Sequence, residues 1–294
     1  MGNQAEIHVM AGAIADRDGR ILIAQRPRGR HLAGRWEFPG GKLASGEEPL
    51  EGLKRELAEE LGVAVREARP LIRLRHEYPD RRVLLDVWQV TAYDGEPQAL
   101  EAQALAWARP DELPKHDLIE ADRAIVTALR VPRLARLLAR GETLQSIRGS
   151  AAQTILWRYL EDGDPEPDKE AVAAARAAGH RVFVMGADVD AVRVAALAGC
   201  DGVVLRWTGQ NLHVDRTGAF LVGALCDDAE GAAEAVAEGA HFLVIAPEDG
   251  PLSERLLERL CIILGRPVFA GWYADARKLE RLQQLGAHGC AVRR

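Results

Sequence analysis

"GKLASGEEPLEGLKRELAEELGV", residues 41–63, joins a glycine turn to a segment that carries an unusual number of glutamates. Leucine recurs in this segment at helical spacing, at Leu50, Leu53, Leu57 and Leu61. That spacing predicts an amphipathic helix with one apolar face. Gly62 directly follows the last leucine and predicts the end of the helix.

Three carboxylates share another face of this predicted helix. Glu56, Glu59 and Glu60 are separated by three and four positions, and like charges at that spacing repel one another. A hard divalent cation turns the repulsion into coordination, and Mg²⁺ favours carboxylate oxygens together with substrate phosphates. The Gly40-Gly41 turn permits a close approach that brings a carbonyl to the same ion. On the charges alone, a solvated acidic face explains the pattern at least as well.

The spacing around the helix favours the metal site. Gly41, five residues, Glu47, seven residues and then "RELAEELGV" (residues 55–63) resemble the Nudix box at every position. The resemblance implies an α/β/α sandwich that uses Mg²⁺, with Mn²⁺ as an alternative, to hydrolyse a nucleoside diphosphate linked to another group. It implies that Glu56, Glu59 and Glu60 bind the metal with a carbonyl at Gly40, that one of them activates water, and that Arg55 pairs with Glu47.

The flanks resemble the MutT branch, which cleanses the nucleotide pool by converting 8-oxo-dGTP to the monophosphate and pyrophosphate. The quoted segments are "ILIAQRPRGRHLAGRWEFPGGK", "HEYPDRRVLL" and "GEPQALEAQ". The resemblance implies that Arg26 contacts phosphate and that the purine is bound by Phe38, Tyr78 and Arg81. It places Glu101 at a further metal-linked or general-base position. Without it, the aromatic side chains would equally fit a core, and Arg26, Arg81 and Glu101 would fit a solvated surface.

Asp122 departs from the branch, which carries asparagine near "LIEADRAIV" to bind the purine edge. Asparagine both donates and accepts hydrogen bonds, whereas an ionised aspartate only accepts them. Either the pocket raises the pKa of Asp122, or the base preference has changed. An N-cap or surface position at the start of a closing helix is the other interpretation of this residue.

Apolar runs around the box predict the remaining elements of the first half. Residues 6–15 and 21–26 read as strands joined by a hairpin turn at Asp16–Gly19, and residues 81–93 read as a further strand. Residues 120–129 predict a short helix. We expect this Nudix-like domain to span residues 1–130.

From residue 131 to 294, alanine-rich helices alternate with short apolar runs, as in "AAGHRVFVMG" and "AEGAHFLVIA". This alternation predicts a parallel sheet, either a (β/α) barrel of the TIM type or a doubly wound sheet. The segment resembles thiamine phosphate synthase and its relative TenI. The motifs that carry that chemistry are altered at Gly186–Asp188, Ala246–Glu248 and Gly271–Tyr273. We therefore expect a catalytically degenerate barrel.

Two alternative hypotheses assign a function to this half. It is either a transferase that joins pyrimidine and thiazole phosphates or a sensor of a thiamine-related ligand. A Nudix domain that acts on another nucleotide or on a thiamine diphosphate derivative is a third alternative.

Composition limits the partners. The 294 residues have a net charge of −6, which argues against stable binding of duplex nucleic acid and leaves a nucleoside triphosphate as the expected partner. The sequence contains no run of 18 apolar residues, so it predicts no membrane span. The four cysteines lack metal-ligand spacing. Together with the absence of a leader pattern at the start, these features predict a cytoplasmic protein. They do not indicate its oligomeric state.

Overall fold

The computed structural model describes residues 6–29, 31–138, 142–144, 154–159, 166–210, 212, 220–273 and 275–293, with the backbone alone for 154–159, 189 and 293. The chain divides into two compact units, Met1–Arg130 and Val131–Arg294. Among the described residues, no helix combines the length and the apolar character that a membrane span requires.

A four-stranded mixed sheet forms the centre of the first unit. The strands follow the order β4 (Gly40–Lys42), β1 (Glu6–Ile14), β6 (Arg82–Asp94) and β5 (Ala64–Glu77). β1 runs antiparallel to β4 and parallel to β6, and β5 runs antiparallel to β6. A second, antiparallel sheet has the order β3 (Trp36–Glu37), β2 (Ile21–Gln25) and β7 (Leu105–Ala108).

Helices cover the two faces of the first sheet. Because side chains alternate along a strand, Met10 and Ile14 pack with Leu53 and Leu57 of α1 (Pro49–Leu61). Ala11 and Ala13 belong to the other apolar cluster, which contains Ile125 of α2 (Arg123–Arg130). The layers are those of the predicted α/β/α sandwich.

The helix of the opening stretch begins and ends where its sequence indicates. Pro49 occupies its first turn, and Gly62 follows it with a positive φ of 71°. The Gly62 N–H donates to the carbonyl of Ala58 at 3.0 Å, which closes the last turn.

Two expectations for the first unit differ from the structure. The turn at Asp16–Gly19 is present, but β1 and β2 belong to different sheets and meet only through a bridge between Ala15 and Ile21. The hairpin prediction fails because β4 and β6 occupy both edges of β1. The sequence reading also missed β5, whose six charged residues and Pro70 obscure the strand pattern.

Eight parallel strands close into a barrel in the second unit, so the doubly wound alternative is wrong. Around the ring follow β8 (Leu134–Leu137), β9 (Thr154–Tyr159), β10 (Arg181–Gly186), β11 (Gly202–Arg206), β12 (Leu221–Cys226), β13 (Phe242–Ile245), β14 (Val268–Tyr273) and β15 (Gly289–Arg293). The described helices are α3 (Lys169–Ala177), α4 (Val189–Leu197), α5 (Ala229–Ala237), α6 (Glu254–Leu264) and α7 (Leu279–Gln284). This arrangement is consistent with a TIM-like domain.

Aromatic rings fill the barrel. Phe183, Phe242 and Phe269 are fully buried, and Phe242 contacts the other two edge to face, a favourable geometry for aromatic pairs. Val182 and Val184 belong to the separate apolar cluster that contains the helix alanines. All four cysteines are buried free thiols.

Candidate functional site

Arg55 organises the carboxylates of α1. Its Nε and Nη2 donate to the two oxygens of Glu47, each at 2.8 Å, and Nη1 donates to Glu56 at 2.7 Å and to Glu59 at 3.4 Å. Nη2 also donates to the carbonyl of Lys42 at 3.2 Å. These hydrogen bonds from Arg55, with a further one from the Ala44 N–H, lower the pKa of Glu47 to about 2. The planar guanidinium thus fixes the loop before α1 to the helix face.

Glu60 contacts the main chain of β4 at the glycine turn. Its Oε2 accepts the main-chain N–H of Gly40 at 3.0 Å. Burial raises the pKa of Glu60 to about 7, helped by the negative charges of Glu101, Glu37 and Glu56 and opposed by the Gly40 hydrogen bond. A positive charge nearby would stabilise the ionised form of a carboxyl group held in this way.

The two glycines of β4 make room for these carboxylates. A Cβ on Gly41 would overlap the carboxylate of Glu56. Gly40 has a positive φ of 148°, and a Cβ there would overlap the carbonyl of Met10. The close approach that the Gly40-Gly41 pair suggested is therefore present, and a side chain at either position would displace a neighbour.

Glu101 lies in an exposed loop that passes the end of α1. Its charge contributes to the raised pKa of Glu60. The main-chain N–H of Glu101 donates to Oε1 of Gln103 at 2.9 Å, and Nε2 of Gln103 donates to the carbonyl of Glu60 at 3.1 Å. Sequence reasoning missed Gln103, although the residue stands in the same "GEPQALEAQ" segment that indicated Glu101.

A cavity of about 190 Å³ lies beside the glycine turn in the first unit. Its lining contains all five predicted substrate residues together with Gly40, namely Arg26, Phe38, Gly40, Tyr78, Arg81 and Asp122. The apolar floor comes from β1 and β6, including Val9 and Leu85. His31, Glu37 and Lys42 also line the cavity, and nothing in their local sequence indicated that position.

Asp122 is buried, at 3% exposure, in a short 3₁₀ turn before α2. Its Oδ2 accepts the main-chain N–H of Phe38 at 3.0 Å. Burial raises the pKa of Asp122 well above its ordinary value, Glu37 raises it further, and the Phe38 hydrogen bond and Arg26 oppose the change. The side chain is therefore not the surface acid considered as an alternative.

The remaining cavity side chains make defined contacts. Arg26 forms an ion pair with Glu37, and its Nε donates to the carbonyl of His31 at 2.8 Å. Tyr78 contacts His76 and His31 edge to face. Arg81 pairs with Asp80. Phe38, at 4% exposure, both lines the cavity and belongs to the apolar core.

Comparison with known proteins identifies the family. A model of the NUDIX domain matches residues 10–128. The CTP pyrophosphohydrolase of Escherichia coli (strain K12) is 41% identical over 130 residues, which cover 44% of this chain and 96% of that protein. The chain belongs to the Nudix family. The 8-oxo-dGTP diphosphatase of Proteus vulgaris is 42% identical over 96 residues, 33% of this chain and 86% of that protein.

Among solved structures, the E. coli ORF135 protein is 34% identical and covers 51% of this chain and 99% of its own, with a TM-score of 0.41. The family and its MutT-like members make this Nudix protein a hydrolase that acts on nucleotide diphosphate bonds. Nudix hydrolases generally use divalent metals such as Mg²⁺.

The residues around the glycine turn fit such an ion by their chemistry. Carboxylate oxygens and a main-chain carbonyl are hard ligands of the kind that Mg²⁺ prefers. Within the described part of the chain, no three histidine, cysteine or acidic side chains are arranged as a metal site. Arg55 forms ion pairs with Glu56 and Glu59.

Proposed function

We propose that the Nudix unit is a Mg²⁺-dependent nucleoside triphosphate pyrophosphohydrolase that converts 8-oxo-dGTP to 8-oxo-dGMP and pyrophosphate. One relationship carries the proposal. Gly40 lines the cavity that contains Phe38, Tyr78 and Asp122, and its N–H binds Glu60 of the carboxylate cluster. A base in the cavity therefore has its phosphates directed toward carboxylates that can hold a cation.

In this proposal the cation ligands are Gly40 through its carbonyl, Glu56, Glu59, Glu60 and Glu101. When bound, Mg²⁺ neutralises phosphate charge and lowers the pKa of an attacking water. Glu56, Glu59 or Glu101 accepts the proton of that water. Arg55 and Glu47 hold the loop and the helix in register through their paired hydrogen bonds.

The cavity supplies base recognition. Phe38 and Tyr78 offer aromatic surface to a purine, and Arg81 and Arg26 offer positive charge to its oxygens or to phosphate. A neutral Asp122 both donates and accepts, as asparagine does. The raised pKa of Asp122 supports this assignment, because it keeps the proton on the carboxyl to higher pH.

CTP is a second candidate because of the same residue. An ionised Asp122 would only accept hydrogen bonds, and the exocyclic amino group of cytosine is a donor. The similarity to a CTP pyrophosphohydrolase supports this alternative. The two candidates predict opposite pH dependence, since a lost proton weakens recognition of 8-oxoguanine and strengthens recognition of cytosine.

A steady-state screen of the full chain tests the proposal. It compares 8-oxo-dGTP, dGTP, CTP, dCTP and thiamine diphosphate with Mg²⁺ or Mn²⁺, and it identifies the released phosphate species. We expect pyrophosphate from 8-oxo-dGTP with the highest kcat/KM. Glu56→Gln and Glu59→Gln should abolish the release, whereas Glu51→Gln, on the exposed side of the same helix, should not. Full turnover in both site variants would contradict the metal assignment.

For the second unit we propose a thiamine-phosphate-synthase-like barrel without synthase activity. Arg206 at the end of β11 is occupied by Asp227 and Glu248, and Trp272 and Tyr273 follow Gly271 at the end of β14. The two aromatic residues after Gly271 replace the glycine-rich backbone that a phosphate turn requires. The full chain should form no thiamine phosphate from the two phosphorylated precursors. A shift of its unfolding temperature with thiamine phosphate would favour the sensor alternative.

A further inference from the structure

Gln103 connects the two segments that carry Glu60 and Glu101. Its side chain is buried, at 7% exposure. The amide oxygen accepts the main-chain N–H of Glu101 at 2.9 Å, and the amide nitrogen donates to the main-chain carbonyl of Glu60 at 3.1 Å. A single planar group therefore fixes the backbone of one acidic residue relative to the other.

Main-chain hydrogen bonds also attach the surrounding loop to the rest of the unit. Ala102, between Glu101 and Gln103, has a positive φ of 58°, a conformation that residues with a Cβ adopt only when their surroundings enforce it. Two further hydrogen bonds attach the loop to the end of α1, from Gln98 N–H to the carbonyl of Leu61 at 2.9 Å and from Leu100 N–H to that of Glu60 at 3.2 Å. Both bonds precede Glu101. On the far side of that residue the loop is held by Gln103 and by the Gln25 N–H, which donates to the carbonyl of Ala104 at 2.8 Å.

We propose that Gln103 is a positioning residue that sets Glu101 against Glu60 for binding a divalent cation. The inference rests on the proposed function of the carboxylate cluster. Holding both backbones requires a donor and an acceptor on one side chain, and the planar carboxamide of glutamine provides both without a change of protonation state. A glutamate at position 103 still accepts from Glu101 but places a charged oxygen against the Glu60 carbonyl. Gln103 does not touch the cation, and it acts by holding the residue that does.

The test measures Mn²⁺ binding to the full chain by electron paramagnetic resonance, without substrate. Gln103→Ala and the better-packed Gln103→Leu should each weaken Mn²⁺ affinity by about 10-fold or more, the usual effect of losing a residue that orients a metal ligand. The isosteric Gln103→Glu should give a smaller loss. Ala102→Gly, which favours the positive φ and leaves both amide bonds in place, should bind Mn²⁺ as the wild type does.

A double-mutant cycle separates positioning from a general structural role. If Gln103 acts through Glu101, Gln103→Ala should add little to the loss already caused by Glu101→Gln. The kcat for the best substrate should fall in the Gln103→Ala protein and recover in part at high Mn²⁺ concentration.

Additive losses in the cycle, or unchanged Mn²⁺ affinity in folded Gln103→Leu and Gln103→Glu proteins, would overturn the inference. Failure of the proposed function is distinguishable. In that case Glu56→Gln and Glu60→Gln themselves would leave Mn²⁺ binding unchanged, whatever the substitution at position 103.

Discussion

The main-chain N–H of Phe38 donates to Oδ2 of Asp122 at 3.0 Å, joining the cavity wall to the turn before α2. Because burial raises the pKa of Asp122 in the folded protein, folding stability depends on pH through this residue. The contribution is fully present below the ordinary pKa of aspartate and is lost as pH rises through the raised value. In the proposed function, the same proton decides which bases the side chain can bind.

Asp122→Asn should remove this pH dependence. The wild type and the variant should be of similar stability at low pH, and the advantage of the variant should grow as pH rises through the pKa of Asp122. Urea unfolding at several pH values checks this. For 8-oxo-dGTP, kcat/KM should fall with rising pH in the wild type and stay level in the variant. A parallel pH profile in both proteins would show that Asp122 does not titrate in the cavity.

Glu60→Gln should stabilise the metal-free protein at high pH. The pKa of Glu60 rises from 4.5 to about 7 in the fold, so its favourable contribution is complete below pH 4.5 and lost as pH rises through about 7. The difference in the free energy of unfolding reaches roughly 3 kcal/mol at most. Calorimetry at pH 5 and pH 8 measures it, with the exposed Glu59→Gln as the matched control. Added Mg²⁺ should stabilise the wild type more than the variant, which lacks one of the proposed ligands.

Arg55→Lys should impair turnover although it preserves the charge. One ammonium group cannot hold both oxygens of Glu47 and also reach Glu56 and the Lys42 carbonyl, as the guanidinium does. We expect kcat/KM to fall by roughly 10- to 100-fold. Lys54→Arg, one position earlier, serves as the control. Within the described residues, Lys54 forms an ion pair with the exposed Glu51. Wild-type rates for Arg55→Lys would mean that charge alone is sufficient.

Gly41→Ala should weaken metal binding while the chain still folds, because the added methyl group displaces the carboxylate of Glu56. Gly46→Ala is the control in the same loop. Its φ is 78° and its surroundings are open, so it costs about 1–2 kcal/mol of backbone strain without touching a carboxylate. Mn²⁺ affinity should fall in the first variant and stay unchanged in the second. Equal effects on binding would attribute the loss to the loop as a whole.

Much of the site was predictable because its parts are close in sequence. The spacing of Glu47, Arg55 and Glu56 follows from one loop and one helix, and their hydrogen bonds need little from the rest of the chain. The predicted hairpin pairing of β1 with β2 was wrong for the opposite reason, since the partners of β1 in its sheet are β4 and β6. The roles assigned to the site residues remain predictions for the variants above.

The sequence by itself determined local features of this protein: the helix ending at Gly62 and the alternating helices and strands of the second half. Periodicity and turn chemistry act over a few residues, so the order of the chain suffices to specify them. Only the tertiary structure decided the burial of Asp122 against Phe38, the raised pKa of Glu60, the amide of Gln103 between two acidic segments, and the closure of the barrel. These properties depend on desolvation and hydrogen bonds between distant segments, which no local pattern contains.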